Sequence, residues 1–317
     1  MKENPLLIKR SFLKLFFFFV VGAGIVFSSP EIKPDFTFGV IADVQYCECD
    51  PIGTRFYSNS LLKLSDSIRD FNARDLSFVI QLGDLIDRDI NSYESVLSVF
   101  NQINTKKYHV LGNHDYGVDE GQKENVPERM GMDSRYYEFG SEGWRMIVLD
   151  GNDLSYYAPS KSHEQKKETE ALFQKLKDRD GVNAHDWNGG LSSQQISWLK
   201  KNLEQASLKQ EQVLLFCHFP VYPSREENLW NDVELIELLE SYPHVVALFS
   251  GHYHSGNYAK KKGIHYLTLQ GMVETEKHNA YAVVEVYSDH LKVFGFERES
   301  NRILTFKNRN TQNEKQK

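Results

Sequence analysis

Cysteine is scarce and odd in number: Cys47, Cys49 and Cys217 are the only three in 317 residues. A disulfide framework is therefore excluded as the basis of stability. Cys47 and Cys49 stand too close in sequence to close a comfortable ring. Cys217 lies in an apolar run, where a buried, inert thiol is expected. Net positive charge is lacking as well. Lys and Arg number 37 against 44 Asp and Glu, a formal charge of −7. No broad basic surface grips a phosphate backbone, and no nucleic-acid partner is expected. An acidic enzyme acting on an acidic substrate then needs local positive charge, which bound metal ions supply. Internal repeats are absent, and no linker divides residues 36–306. What remains is a chain with 40% hydrophobic and 13% aromatic residues, enough for one substantial core or two modest ones.

A long apolar span is also missing. Lys2, Lys9, Arg10 and Lys14 flank the apolar run 15–27, and Ser28 and Ser29 follow it. The run is shorter than the roughly 20 residues of a spanning helix. Its basic, apolar and small-residue order is that of a secretory signal. Lys9-Arg10-Ser11-Phe12-Leu13-Lys14 also resembles a twin-arginine export signal with lysine in the first basic place. Residues 1–29 are read as a signal peptide or membrane anchor. The chain is accordingly expected to be exported, periplasmic or extracellular, or held at a membrane through that segment alone. The polar tail 307–317 is expected to be disordered. Nothing in the sequence bears on oligomeric state.

Between these ends the pattern alternates. Apolar runs at 36–42, 78–80 and 108–111 read as strands. A helix near 58–71 repeats Leu61, Leu64, Ile68 and Phe71 on one face, and a second uses Tyr93, Val96, Leu97, Phe100 and Ile103. Residues 116–135 lapse into polar loop, and 136–139 and 145–149 read as strands of an adjoining sheet. A charged helix is expected over 160–180. Another starts at Ser192, with Gln195 completing a capping box and Ile196, Leu199 and Leu203 on its apolar face. Strands at 213–216 and 245–249 are separated by a helix around 233–239. The runs 264–269, 281–286 and 291–296 lack intervening helices and read as antiparallel strands. The alternation predicts an α/β domain with a largely parallel central sheet.

Five of the apolar runs end in polar clusters: Asp43-Val44-Gln45, Gly83-Asp84-Leu85-Ile86-Asp87, Gly112-Asn113-His114-Asp115, Cys217-His218 and Gly251-His252-Tyr253-His254. Aspartate, asparagine, glutamine and histidine make an oxygen and nitrogen ligand set without thiolate. Such a set suits Mn²⁺, Mg²⁺, Fe or Zn²⁺ at five or six coordination rather than a closed structural zinc site. Two such ions about 3.5–4 Å apart clamp the attacking and leaving oxygens of a phosphoryl displacement and activate a bridging water as nucleophile.

Four of these motifs, in this order, resemble the calcineurin-like metallophosphoesterase superfamily: the Gly83 and Gly112 clusters, His218, and Gly251-His252-Tyr253-His254. Asp43-Val44-Gln45 carries glutamine where most members have histidine. That departure resembles one branch, the manganese-dependent ADP-ribose/CDP-alcohol diphosphatases. Further stretches resemble the branch: residues 38–45, Gly53-Thr54-Arg55, Asn188-Gly189-Gly190, residues 218–223 and Gly271-Met272-Val273-Glu274-Thr275. The resemblance implies a four-layer α/β/β/α sandwich of two mixed sheets flanked by helices. It implies that Asp43, Gln45, Asp84 and His254 hold one metal and that Asp84, Asn113, His218 and His252 hold the other, most readily Mn²⁺. His114 would protonate the leaving phosphate, with Asp87 fixing its tautomer.

Arg55 is a candidate for a substrate phosphate or a plain surface residue, and Arg88 for substrate or a salt bridge. His109 is expected in the core. Asp150 ends a strand and either supports the site or caps a turn. The resemblance implies a hydrolase that cleaves the pyrophosphate bond of nucleoside diphosphate-linked compounds, ADP-ribose and CDP-alcohols among them, through attack of a hydroxide bridging the two metals. The alternatives are a broad phosphomonoesterase or cyclic-nucleotide phosphodiesterase on the same site, and a non-catalytic scaffold.

Overall fold

The computed structural model describes Met1 and residues 33–307. The readings of 1–29 as a signal and of 307–317 as a tail fall almost wholly outside those residues. Contacts divide the chain into Met1–Lys33 and Pro34–Lys317, and the second unit holds every element named below. The first half runs β1 (Phe36–Ile41), α1 (Ser60–Asn72), β2 (Phe78–Leu82), α2 (Ser92–Phe100), β3 (Lys106–Val110), α3 (Val126–Arg129), β4 (Tyr137–Ser141) and β5 (Trp144–Val148). The second runs α4 (His163–Asp178), α5 (Ser193–Lys209), β6 (Gln212–Phe216), α6 (Asp232–Glu240), β7 (Val245–Ser250), β8 (Ser255–Lys261), β9 (Ile264–Gln270), β10 (Ala280–Val286), β11 (His290–Glu297) and β12 (Arg302–Thr305).

The strands form two six-stranded sheets, ordered β12-β11-β10-β1-β2-β3 and β4-β5-β6-β7-β9-β8. In the first, β1, β2 and β3 are parallel and the rest antiparallel. In the second, β5, β6, β7 and β9 are parallel, with β4 and β8 antiparallel at the edges. Strand periodicity sorts each side chain to one face. Phe38, Val40, Phe78 and Ile80 meet Met146, Val148, Phe216 and Phe249 between the sheets. Val79 and Ile41 turn outward beneath Leu64, Ile68 and Phe100 of α1 and α2. Ile147, Leu215 and Val213 turn outward beneath Leu199 and Leu203 of α5 and Leu235 and Leu239 of α6. The expected four layers follow.

Four expectations need correction. The stretch 116–135, read as polar loop, contains the short helix α3, with Pro127 in its first turn. The run 264–269 is β9, which joins the second sheet parallel to β7, because the edge strand β8 supplies the intervening antiparallel turn-back. Ser192 caps α5 through Oγ to the Gln195 amide at 3.1 Å, but Gln195 does not complete the box. Its side chain instead accepts from the Asp150 amide and donates to the Asp150 carbonyl. Finally, Cys47 and Cys49 form a disulfide. The loop bends so that their Cα atoms lie 5.2 Å apart, within disulfide reach. Ser58 Oγ lies within hydrogen-bonding distance of both cysteine carbonyls, at 3.2 and 3.0 Å, and holds that bend. Cys217 is buried, and burial pushes its thiol up to about 12.

Asp150, at the end of β5, is a buried support. Its Oδ2 lies 2.6 Å from Arg135 Nε, and Oδ1 accepts from the amide of Asn152. Asn152 Nδ2 donates in turn to the carbonyl of Leu111, next to the β3 end that carries Asn113. Removing one member of a buried ion pair leaves the other charge uncompensated. Asp150→Asn is therefore expected to lower the free energy of unfolding by about 3–5 kcal/mol in a denaturant titration; a loss below about 1 kcal/mol would show that Arg135 is held without it.

Candidate metal centre

The carboxyl ends of β1, β2, β3, β6 and β7 meet at one edge of the sandwich, and each releases its polar cluster there. Asp43, Gln45, Asp84 and His218 are buried, and His252 and His254 are part-buried. Asp84 sits at the centre. Its Oδ2 lies 3.3 Å from His218 Nε2 and accepts from Gln45 Nε2 at 3.2 Å, while Oδ1 accepts from the His114 amide. Two groups of donor atoms lie within 4.8 Å of one another and share it: Asp84, His218 and His252, and Asp43, Asp84 and His254. Asn113 Oδ1 and His252 Nδ1 each stand 3.1 Å from His218 Nε2, adding Asn113 to the first group.

The backbone is bent to make this possible. Asp43, Gln45, Asp84 and His252 have φ of 51°, 41°, 54° and 66°. Non-glycine residues rarely adopt this left-handed region, and their concentration at one point marks a functional constraint. Gly112 permits the closest approach: a Cβ there would lie 2.1 Å from Asp84 Oδ1. Asp115 locks the two neighbouring turns together. Its carboxylate accepts from the amides of Gly112, Asp84 and Leu85 and from Tyr93 Oη.

The electrostatics are those of a cation site. Burial raises the cost of charge on Asp84, but His218 and His114 outweigh it and hold the carboxyl well below its ordinary range. Burial likewise opposes charge on His218 and His254, yet Asp84 and Asp43 lift both rings to about 9. His252 is pushed well below the ordinary range by burial and by the charge of His218. Gln45 Oε1 is buried with no hydrogen-bond partner. An orphaned amide oxygen beside two buried carboxylates and three imidazoles fits a pair of divalent cations, which bind such donors with release of protons.

His114 stands beside the cluster. Its Nδ1 lies 3.1 Å from Asp87 Oδ1 and 3.2 Å from the Asp87 carbonyl. Burial depresses the ring's affinity for a proton, but Asp84 and Asp87 raise it above the ordinary value. Arg88 turns back, with Nε 2.5 Å from Asp87 Oδ2 and its guanidinium 5.7 Å from the Tyr57 ring centroid. Arg55 lies at the rim, partly exposed, its Nε 3.7 Å from Glu274 Oε1. His109 is buried away from the cluster against Phe100.

A calcineurin-like phosphoesterase family model matches residues 36–256. The chain belongs to that family, whose members are metal-dependent hydrolases. Among its family relatives is the manganese-dependent ADP-ribose/CDP-alcohol diphosphatase of Homo sapiens, 30% identical over 88% of this chain and 96% of the relative. The Oryza sativa protein of the same name is 29% identical over 89% of this chain and 98% of its own. A solved dimetal phosphatase from Danio rerio superposes with a TM-score of 0.77 at 26% identity, covering 87% of this chain and all of that one. The seven candidate ligands lie together at this edge of the sandwich. Two side chains that the sequence left without a role also join them: Asn188, whose Oδ1 lies 3.1 Å from His252 Nε2, and Glu274, whose Oε1 lies 2.7 Å from His254 Nδ1. Both belong to stretches the sequence singled out only by resemblance.

Proposed function

We propose that this phosphoesterase hydrolyses the pyrophosphate bond of nucleoside diphosphate-linked compounds, ADP-ribose and CDP-alcohols in particular, with two Mn²⁺ ions. Gln45 carries the reading. Its buried, unpartnered Oε1 is a neutral, hard donor that favours Mn²⁺ or Mg²⁺ over Zn²⁺. The names of the human and rice relatives agree with that preference. Asp43, Gln45, Asp84 and His254 would hold one ion, and Asp84, Asn113, His218 and His252 the other. When bound, the ions supply Lewis acidity and a lowered pKa for water.

The chain's own residues do the rest. His114 holds a proton at Nε2 for the leaving phosphate, because Asp87 occupies Nδ1. Arg88 is drawn onto Asp87 and steadies that pair rather than the substrate. Arg55, at the rim, is placed to meet a substrate phosphate through its guanidinium. We also hold to export. The basic-apolar pattern of residues 1–29 supports it, as does the Cys47–Cys49 bond, since disulfides persist in oxidising compartments. The substrate would then be an external nucleotide compound, and any membrane contact would run through the N-terminal segment.

A Mn²⁺-supported panel with product identification tests the substrate. ADP-ribose or a CDP-alcohol should give a nucleoside monophosphate and a phosphate ester. Turnover of monoesters or cyclic nucleotides alone would instead establish the broader phosphatase or phosphodiesterase reading. The proton assignment has its own test. Asp87 raises the affinity of His114 for its proton, so Asp87→Asn should move the alkaline limb of the pH profile of kcat/KM to lower pH. His114→Ala should abolish that limb and cost about 10²–10⁴-fold in rate. An alkaline limb unchanged in His114→Ala would assign the proton to another group.

A further inference from the structure

The three candidate ligand histidines share one construction: the ring nitrogen turned from the centre is tied down. His218 Nδ1 lies 2.8 Å from the Leu82 carbonyl, His252 Nε2 lies 3.1 Å from Asn188 Oδ1, and His254 Nδ1 lies 2.7 Å from Glu274 Oε1. The first two acceptors are neutral. The third is the carboxylate of Glu274.

That one charged support falls on a particular side of the centre. His254 Nε2 lies 3.6 Å from Asp43 Oδ1, in the group to which the proposed function assigns Gln45. Gln45 offers only an amide oxygen, a weaker donor than imidazole or carboxylate. A carboxylate behind an imidazole ligand fixes its tautomer and strengthens it as a donor.

Glu274 is held for this purpose by two other elements. Lys63, buried on α1, donates through Nζ to the carbonyls of Met272, Glu274 and Thr275. The Glu274 backbone bridges to Arg55, and the Thr275 amide donates to the Thr54 carbonyl at 2.8 Å. The stretches 53–55 and 271–275 thus form one braced unit, with the Glu274 carboxylate aimed at His254.

We infer that Glu274 is a positioning residue that fixes His254 with Nε2 toward the Asp43 side and strengthens it as a donor, offsetting the weak Gln45 ligand at the same ion. The inference rests on reading the Asp84 cluster as a site for two metals.

The test is a Mn²⁺ titration of the metal-stripped full chain, with free Mn²⁺ followed by electron paramagnetic resonance. Wild type, Glu274→Gln, Gln45→His and the double variant are compared, with circular dichroism to confirm folding. Glu274→Gln keeps an acceptor of the same shape, so the fold should persist. It should weaken one of the two sites by about 10–100-fold and leave the other nearly unchanged. In the Gln45→His background, the same substitution should cost measurably less. Wild type binding two ions while Glu274→Gln binds identically, or loses both sites alike, overturns the inference and leaves the two-metal reading standing. An equal loss in both backgrounds overturns the offset to Gln45. Wild type binding no Mn²⁺ overturns both.

Discussion

Asp43 and Asp84 are carboxylates with no exposure to solvent, placed where the two sheets of the sandwich meet. Burying a carboxylate costs several kcal/mol unless opposite charge and hydrogen bonds offset it. Much of the surrounding architecture serves that end. The turns after β1 and β2 adopt left-handed backbone to aim the carboxylates inward. Gly112 removes the side chain that would strike Asp84. Asp115 gathers the amides of both neighbouring turns, and three imidazoles close around the pair. Such a convergence is unfavourable without cations and favourable with them, which is how a stable fold comes to hold a reactive centre.

A second layer fixes what the first presents. Each histidine near the centre is held at its outer nitrogen by a group from another part of the chain: a strand carbonyl, an asparagine, and a carboxylate each for His254 and His114. The buried Arg135–Asp150 pair and Asn152 extend the support to the end of β3. The framework therefore reaches well beyond the candidate ligands, to a rim where Arg55 is partly exposed.

Much of this was legible in the sequence, for a physical reason. The seven candidate ligands follow five strands, two of them after β1 and two after β7, so local pattern reports both the element and the polar cluster at its end. The two inner faces alternate at period two, as in Phe38 and Val40 against Ile41. The supports were not legible in the same way. Asn188 and His252 lie 64 positions apart, and Glu274 and His254 meet only because β9 returns to the same edge. Strand β8 escaped notice because it is a lysine-bearing edge, with exposed and half-buried residues in place of an apolar run. The Cys47–Cys49 bond was missed because sequence spacing says nothing of the bend that Ser58 holds.

Under the proposed function, Asp84 would join two cations at the meeting of the sheets. Anomalous diffraction from crystals grown with Mn²⁺ tests it most directly. The account predicts two peaks about 3.5–4 Å apart, one beside Asp43, Gln45 and His254 and the other beside Asn113, His218 and His252, with Asp84 between them. A single peak, or a pair that leaves Asp84 outside both coordination shells, would contradict it.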